Sequence, residues 1–302
     1  MRELNVKIYP LDLDFQAIPQ AIAAYLVVGP EGPVLVETGP ASTLETLKMR
    51  LAEHGYTPAD IRHVLVTHIH LDHAGAAGWW ARQGADVYVH HVGAPHLVDP
   101  SRLLSSAQRI YGAAMGTLWG ETLPAPAERV HPLQDNDVVE VRGLTFTALD
   151  TPGHARHHHV YRLGEIGFTG DAAAVRLPGN PFISLPAPPP EFDREAWQKT
   201  IARLLDQGFA TIYPTHFGLL TDVRDHLEAL ADLIDRSAAF VHKRMQTGLG
   251  RDELAKEYLA WVEERAYTQG LPKKEFQVYE TANPTGMSVD GIMRYWRKHA
   301  KG

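Results

Sequence analysis

Four side chains able to bind a metal ion, His68, His70, Asp72 and His73, fall within six residues in the stretch Thr67-His-Ile-His-Leu-Asp-His-Ala-Gly75. They follow an apolar run of β type, Ile61-Arg-His-Val-Leu-Val66. On an extended chain alternate side chains share a face, so His68 and His70 project the same way and can grip one ion. Once the chain turns, Asp72 and His73 point toward a second position a few ångströms on. Imidazoles and a carboxylate are ligands for zinc or a similar divalent ion, and iron or manganese would also accept them. The competing reading is a cluster of surface histidines in a chain that has 17 of them.

Further ligand types arrive in order at the ends of other apolar runs. His154 lies in Asp150-Thr-Pro-Gly-His-Ala155, directly after Leu144-Thr-Phe-Thr-Ala-Leu149. Asp171 lies in Ile166-Gly-Phe-Thr-Gly-Asp-Ala172, and His216 in Thr211-Ile-Tyr-Pro-Thr-His-Phe-Gly218. Taken singly, a His after Pro-Gly is a solvated turn residue and a Gly-Asp is a turn or a cap. Together they place seven ligand-type side chains at four strand ends. His157, His158 and His159 should alternate faces on a strand, as supports for the ligands or as surface groups. His90, His91 and His96 have no spacing that would bind a further ion.

With these residues in hand, the chain resembles the metallo-β-lactamase-fold hydrolases, the superfamily that includes glyoxalase II and bacterial lactonases. The resemblance runs from about Tyr9 to Leu220. It rests on the H-x-H-x-D-H block, the T-P-G-H turn and the T-G-D turn. It implies an αββα sandwich of two mixed β-sheets flanked by helices. It also implies His68, His70 and His154 at a first metal, Asp72, His73 and His216 at a second, and Asp171 bridging both. One departure is visible: the family has Asp in an early D-T-G turn, whereas this chain reads Val36-Glu-Thr-Gly39, which leaves the supporting role of that carboxylate open.

The chemistry expected of that ligand set is hydrolytic. Two zinc ions per chain, roughly 3.5–4 Å apart, would share a bridging water and bring its pKa from about 15.7 toward 7. The result is a hydroxide nucleophile with no Ser or Cys required. Asp72 is the carboxylate placed to orient it and to pass a proton to the leaving group. The expected substrate is a thioester, lactone or other carboxylic ester, in the glyoxalase II-like or lactonase-like branch. Two alternatives stand beside this reading. A mononuclear iron persulfide dioxygenase shares the fold and much of the motif. A metal-binding scaffold without activity is the non-enzyme reading, and no missing ligand supports it.

Composition narrows the classes. A chain of 302 residues, 44% hydrophobic, can bury a sizeable core. The net charge is −7 and no long Lys/Arg run occurs, so no basic track for nucleic-acid phosphates is expected. A small molecule is the expected partner. The absence of cysteine excludes disulfides and thiolate ligands. The N-terminal stretch Met1–Pro10 has no apolar core of signal-peptide length, and no segment approaches membrane-spanning length, so a cytoplasmic location is expected.

The elements that must position these residues can be read from period and punctuation. Ala23–Val28 and Pro33–Glu37 are short apolar runs around Gly29-Pro-Glu-Gly32, a hairpin signal. Ser42–Glu53 has helical spacing through Leu44, Leu47 and Leu51, Ala74–Gln83 reads as a helix and Asp86–His90 as a strand. Ser101–Gly120 reads as one amphipathic helix with two stripes. Leu103, Ala107, Ile110, Ala114 and Leu118 are expected to pack on the core, whereas Tyr111, Met115 and Trp119 are the candidates to roof an apolar substrate pocket. The Pro-rich Leu177–Pro190 cannot be regular structure and should frame the mouth of the site. Two units are expected: a catalytic domain over 1–220 and a helical C-terminal extension over 221–302. The extension's helices read as Val223–Met245, Arg251–Arg265 and Ser288–His299; the resemblance implies that they shape the substrate cleft, and a stabilising or oligomerising cap is the equal alternative.

Overall fold

Ala23-Ala-Tyr-Leu-Val-Val28 is apolar on both sides of the pleat, the pattern of a strand covered on both faces. In the computed structural model, which describes residues 6–299, it is such a strand. The first five residues of the stretch considered for a leader thus lie outside the described residues.

The first sheet holds β1 (Lys7–Asp12), β2 (Ala23–Gly29), β3 (Gly32–Val36), β4 (His63–Leu65), β5 (Asp86–His90) and β6 (Val130–Leu133), side by side in that order. Its first three strands pair antiparallel and β3 to β6 run parallel. The second sheet has the order β11-β10-β9-β8-β7, built from β7 (Val138–Val141), β8 (Leu144–Asp150), β9 (His159–Leu163), β10 (Ile166–Gly170) and β11 (Thr211–Pro214). Only β10 and β11 pair parallel there. Both sheets are mixed, as expected for the sandwich.

The helices are α1 (Leu44–Glu53), α2 (Leu71–Ala74), α3 (Ala77–Arg82), α4 (Ala94–Val98), α5 (Ser101–Tyr111), α6 (Met115–Trp119), α7 (Arg194–Asp206), α8 (Val223–Gln246), α9 (Arg251–Thr268), α10 (Lys273–Ala282) and α11 (Thr285–His299). The two-residue period sorts the core into layers. Tyr25, Val27, Val34 and Val36 face the second sheet and meet Phe146, Tyr161 and Phe168. Leu26 and Leu35 point the other way, onto Leu47 and Leu51 of α1 and Trp80 of α3. The C-terminal helices share the first of these cores: Leu227, Leu230, Tyr258 and Tyr279 belong with Phe182 and Trp197 to the same buried cluster. Among the described residues, no helix is long and apolar enough to cross a membrane.

Three expectations change. Residues 101–120 are not one helix: α5 stops at Tyr111, a short 3-10 turn spans Gly112–Ala114, and α6 follows. Gly112 takes φ +53° there, a conformation that glycine adopts without the Cβ penalty and that breaks the helical stripe. Lys273–Ala282, between two punctuated stretches, forms the additional helix α10. Finally, His157–His159 do not alternate along a strand, because β9 begins only at His159.

Candidate metal centre

β4 ends at Leu65, so His68 and His70 sit on the loop beyond it, and His70 is the residue before the first turn of α2. That turn then carries Asp72 and His73 around to a different side. His154 comes from the loop after β8, Asp171 from the end of β10, and His216 from the end of β11. Gly170 makes the Asp171 turn with φ +49°. A Cβ on it would collide with Thr67 Oγ1 and lie 2.7 Å from His158 Nε2, so only glycine lets the turn press this close.

The structure brings all seven predicted residues together as two adjoining groups. In the first, His68 Nε2 and His154 Nε2 lie 2.9 and 3.0 Å from His70 Nδ1. In the second, His73 Nε2 and His216 Nε2 lie 3.6 and 3.5 Å from Asp72 Oδ2. Asp171 divides its carboxylate between them. Its Oδ2 is 3.3 Å from His154 Nε2, and its Oδ1 is 3.4 Å from His73 Nε2 and 3.5 Å from His216 Nε2.

The outer nitrogens decide whether these groups fit a metal ion, because a ring nitrogen must be bare to bind one. His154 Nδ1 donates to Pro186 O at 2.7 Å, and His216 Nδ1 to Ala21 O at 2.7 Å. His73 Nδ1 donates to Glu37 Oε1 at 3.1 Å. Thr67 Oγ1 donates to Glu37 Oε1 at 2.5 Å, so it is left to accept from His68 Nδ1 at 3.1 Å. All four rings therefore carry a proton on Nδ1, which leaves the inward Nε2 as the nitrogen available to an ion. His73 Nε2 and Asp171 Oδ1 are buried with no hydrogen-bond partner, which a cation would supply. The donor set fits divalent metal.

The electrostatics favour neutral imidazoles in the first group and ionised carboxylates beside both. Burial, reinforced by the neighbouring imidazoles, pushes His68 well below its ordinary value and His70 down to about 3, so both stay neutral. Burial alone would raise the Asp72 and Asp171 carboxyls, but it is outweighed by the surrounding histidines, His73 and His216 among them. Asp72 is held at about 2 and Asp171 well below the carboxylate range. Burial opposes the charged form of His73 and His216 too, yet the carboxylates around them raise both.

Glu37 supplies what the missing early Asp left open. It is 1% exposed and accepts from Thr67 N, Thr67 Oγ1, Thr215 Oγ1 and His73 Nδ1. The longer side chain reaches from a backbone at φ +65° to the ring of His73. His158, one of the three histidines offered as a support or a surface group, is a support: its Nε2 accepts the Asp171 backbone N–H at 3.2 Å while its Nδ1 meets Thr151 Oγ1 at 2.8 Å. His157 instead points to Glu191, 3.0 Å away.

A further group, His90, Asp150 and His159, draws its acidic member from a strand end 60 residues away from His90, where spacing could not reveal it. Its tautomer is the opposite one. His90 Nδ1 accepts the Val92 N–H at 3.0 Å, so the proton sits on Nε2 and goes to Asp150 Oδ1 at 3.1 Å. His90 thus offers no bare nitrogen, and this group does not fit an ion as the others do.

The seven-residue centre opens into a cavity of ≈ 340 Å³ reached by His70, Asp72, His154 and Asp171. Pro186 and Pro188–Pro190 of the Pro-rich segment form one side. Leu103, Ala107, Ile110 and Leu118, the stripe expected to be core, line the opposite side with Tyr111 and Trp119. Met115, expected beside Tyr111 and Trp119, is not among the lining residues. Asn283, Pro284 and Met287 reach the cavity from the C-terminal segment.

Residues 17–216 match the family described as the metallo-beta-lactamase superfamily. The metallo-beta-lactamase fold-containing protein ST1585 of Sulfurisphaera tokodaii is 22% identical over 218 residues, 70% of this chain and 79% of that one. The lactamase-like protein adaB of Aspergillus niger is 28% identical over 208 residues, 68% of this chain, and the match spans about half (52%) of the fungal protein. Among solved structures, the metallo-beta-lactamase family protein TTHA1429 of Thermus thermophilus has a TM-score of 0.69 at 22% identity, covering 98% of this chain and 94% of that one. The structure of ST1585 follows at a TM-score of 0.64 and 16% identity, covering 95% and 98%. At these identities the structural likeness is one of fold.

Proposed function

We propose, since this chain belongs to the metallo-beta-lactamase superfamily, that it is a hydrolase of a thioester, lactone or other carboxylic ester, working with two zinc ions. The observation that carries this reading is Asp171, whose two oxygens face two separate groups of bare imidazole nitrogens. His68, His70 and His154 would hold one ion, Asp72, His73 and His216 the other, and Asp171 both. Divalent cations there would supply Lewis acidity toward the scissile carbonyl and an acidified water at neutral pH.

The protein's own side chains do the rest. Asp72 is the ligand carboxylate most open to the cavity, with its side chain 20% exposed against 4% for Asp171. Held ionised by His73 and His216, it accepts a proton from the attacking water and hands it to the departing oxygen or sulfur. The carbon walls from Leu103, Ile110 and Trp119 seat an acyl chain and exclude bulk water. The lactamase-like names of the fungal relatives support a hydrolytic reading without naming a substrate.

The test is a panel of acyl thioesters, acyl-substituted lactones and p-nitrophenyl esters of several chain lengths, with phosphodiesters as the contrast. Turnover of a carboxylic derivative is expected to rise with acyl length, to vanish with a chelator and to return with zinc. Hydrolysis confined to phosphodiesters, or activity indifferent to chelation, would overturn the reading. Two bound zinc ions with no turnover of any panel member would leave the inactive scaffold.

A further inference from the structure

Tyr111 is the last residue of α5, and its ring stands edge-on to Trp119 at 5.0 Å on the cavity wall. Its hydroxyl has one side-chain partner, the Met287 sulfur of α11, 3.5 Å away and 176 residues on in the chain. A thioether is a weak acceptor. A phenol O–H is therefore held, inside an otherwise carbon-rich wall, against one of the poorest acceptors a side chain can offer. Leu103, Ala107, Ile110, Leu118 and Trp119 line the same cavity and offer no acceptor; Gln16, His96, Ser106 and Asn283 reach it too, but none of them is hydrogen-bonded to this hydroxyl. The same cavity is reached by Asp72 and Asp171, so a ligand seated against those carboxylates shares its space with this hydroxyl.

Building on the carboxylic-ester reading above, we propose that Tyr111 is a substrate-contacting hydrogen-bond donor, whose hydroxyl leaves Met287 and donates to an ester or thioester oxygen of the bound substrate. A carbonyl oxygen is a far better acceptor than a thioether, so the exchange runs toward the substrate. The ring, kept in place by Trp119, lies along the acyl chain at the same time. One residue thus joins the apolar wall to the polar end of the substrate. The C-terminal extension enters the site through the residue that parks the hydroxyl when no substrate is bound.

Tyr111→Phe keeps the ring and removes only the donor, and Tyr111→Leu removes the ring as well. With p-nitrophenyl butyrate, p-nitrophenyl octanoate and octanoyl thioester as probes, Tyr111→Phe should lower kcat/KM by about tenfold to a hundredfold, equally for short and long chains. Metal content and Tm should match the wild type. Tyr111→Leu should add a further loss that grows with chain length. An active wild type matched by Tyr111→Phe would overturn this proposal alone, as would a Phe variant whose loss follows chain length or a fall in Tm. A wild type silent toward esters, thioesters and lactones would sink the parent reading and this proposal with it.

Discussion

Glu37 shows how a single side chain can set the protonation of a candidate metal centre without being one of its ligands. Its Oε1 accepts from His73 Nδ1, from Thr67 Oγ1 and from Thr215 Oγ1, and its Oε2 faces the Thr67 N–H. Through His73 directly, and through Thr67 to His68, one carboxylate fixes two rings with their bare nitrogens inward. Glu37→Gln would set an amide N–H₂ against groups that are themselves donors, so at least one contact becomes repulsive. We expect the second ion, held with His73, to bind about 10–100-fold more weakly, as is typical when the partner of a ligating histidine is removed. The first ion should lose less, because Thr67 stands between Glu37 and His68. Competition with a chromophoric chelator measures both steps, and wild-type affinities at both would refute the role given to Glu37.

At the scale of elements, α8 is fastened beside the Asp171 turn by His226. This buried ring donates from Nε2 to Ala173 O at 2.7 Å, two residues after Asp171, and its Nδ1 faces Arg176 at 3.5 Å. Burial, with the Arg176 charge adding to it, pulls its pKa down to about 4, while Ala173 O and Asp222 oppose the shift. Below the ordinary value of 6.5 the unfolded chain takes up a proton that the folded chain refuses until about pH 4. The contribution is thus complete above pH 6.5 and is lost as pH falls toward 4, a change on the order of 3 kcal/mol. His226→Gln keeps a donor without the titration. Its Tm should fall less steeply than the wild type's between pH 6.5 and 4, and parallel curves would contradict the assignment. Elements of this kind were unevenly legible in the sequence. The long helices α8, α9 and α11 showed their period, and Asp86–His90 stood out as a strand. The α5–α6 break did not, because Leu103, Ile110 and Leu118 keep helical spacing across Gly112; the backbone angle there marks the break, and the lining of the cavity shows where the stripe faces.

For the whole molecule, the sandwich was legible through the resemblance carried by its motifs, and the gathering of the seven ligand-type residues through one physical pattern: each stands where an apolar run meets a turn. What the sequence hid were contacts between segments remote along the chain. Glu37 with Thr215, His90 with Asp150 and Tyr111 with Met287 pair residues with no local signature. The C-terminal helices are also more than an appendage in packing, since Asn283 and Met287 reach the cavity while Leu227 and Tyr279 belong to the buried cluster of the second sheet. The central claim, two ions joined by Asp171, is tested most directly by elemental analysis of protein purified without added metal, beside Asp171→Asn and Asp72→Asn. The account predicts close to two zinc ions per chain, loss of metal and activity together in Asp171→Asn, and an Asp72→Asn protein that keeps much of its first-site metal with little turnover. A reproducible single iron without zinc, or an Asp171→Asn protein that retains both ions and full activity, would contradict it.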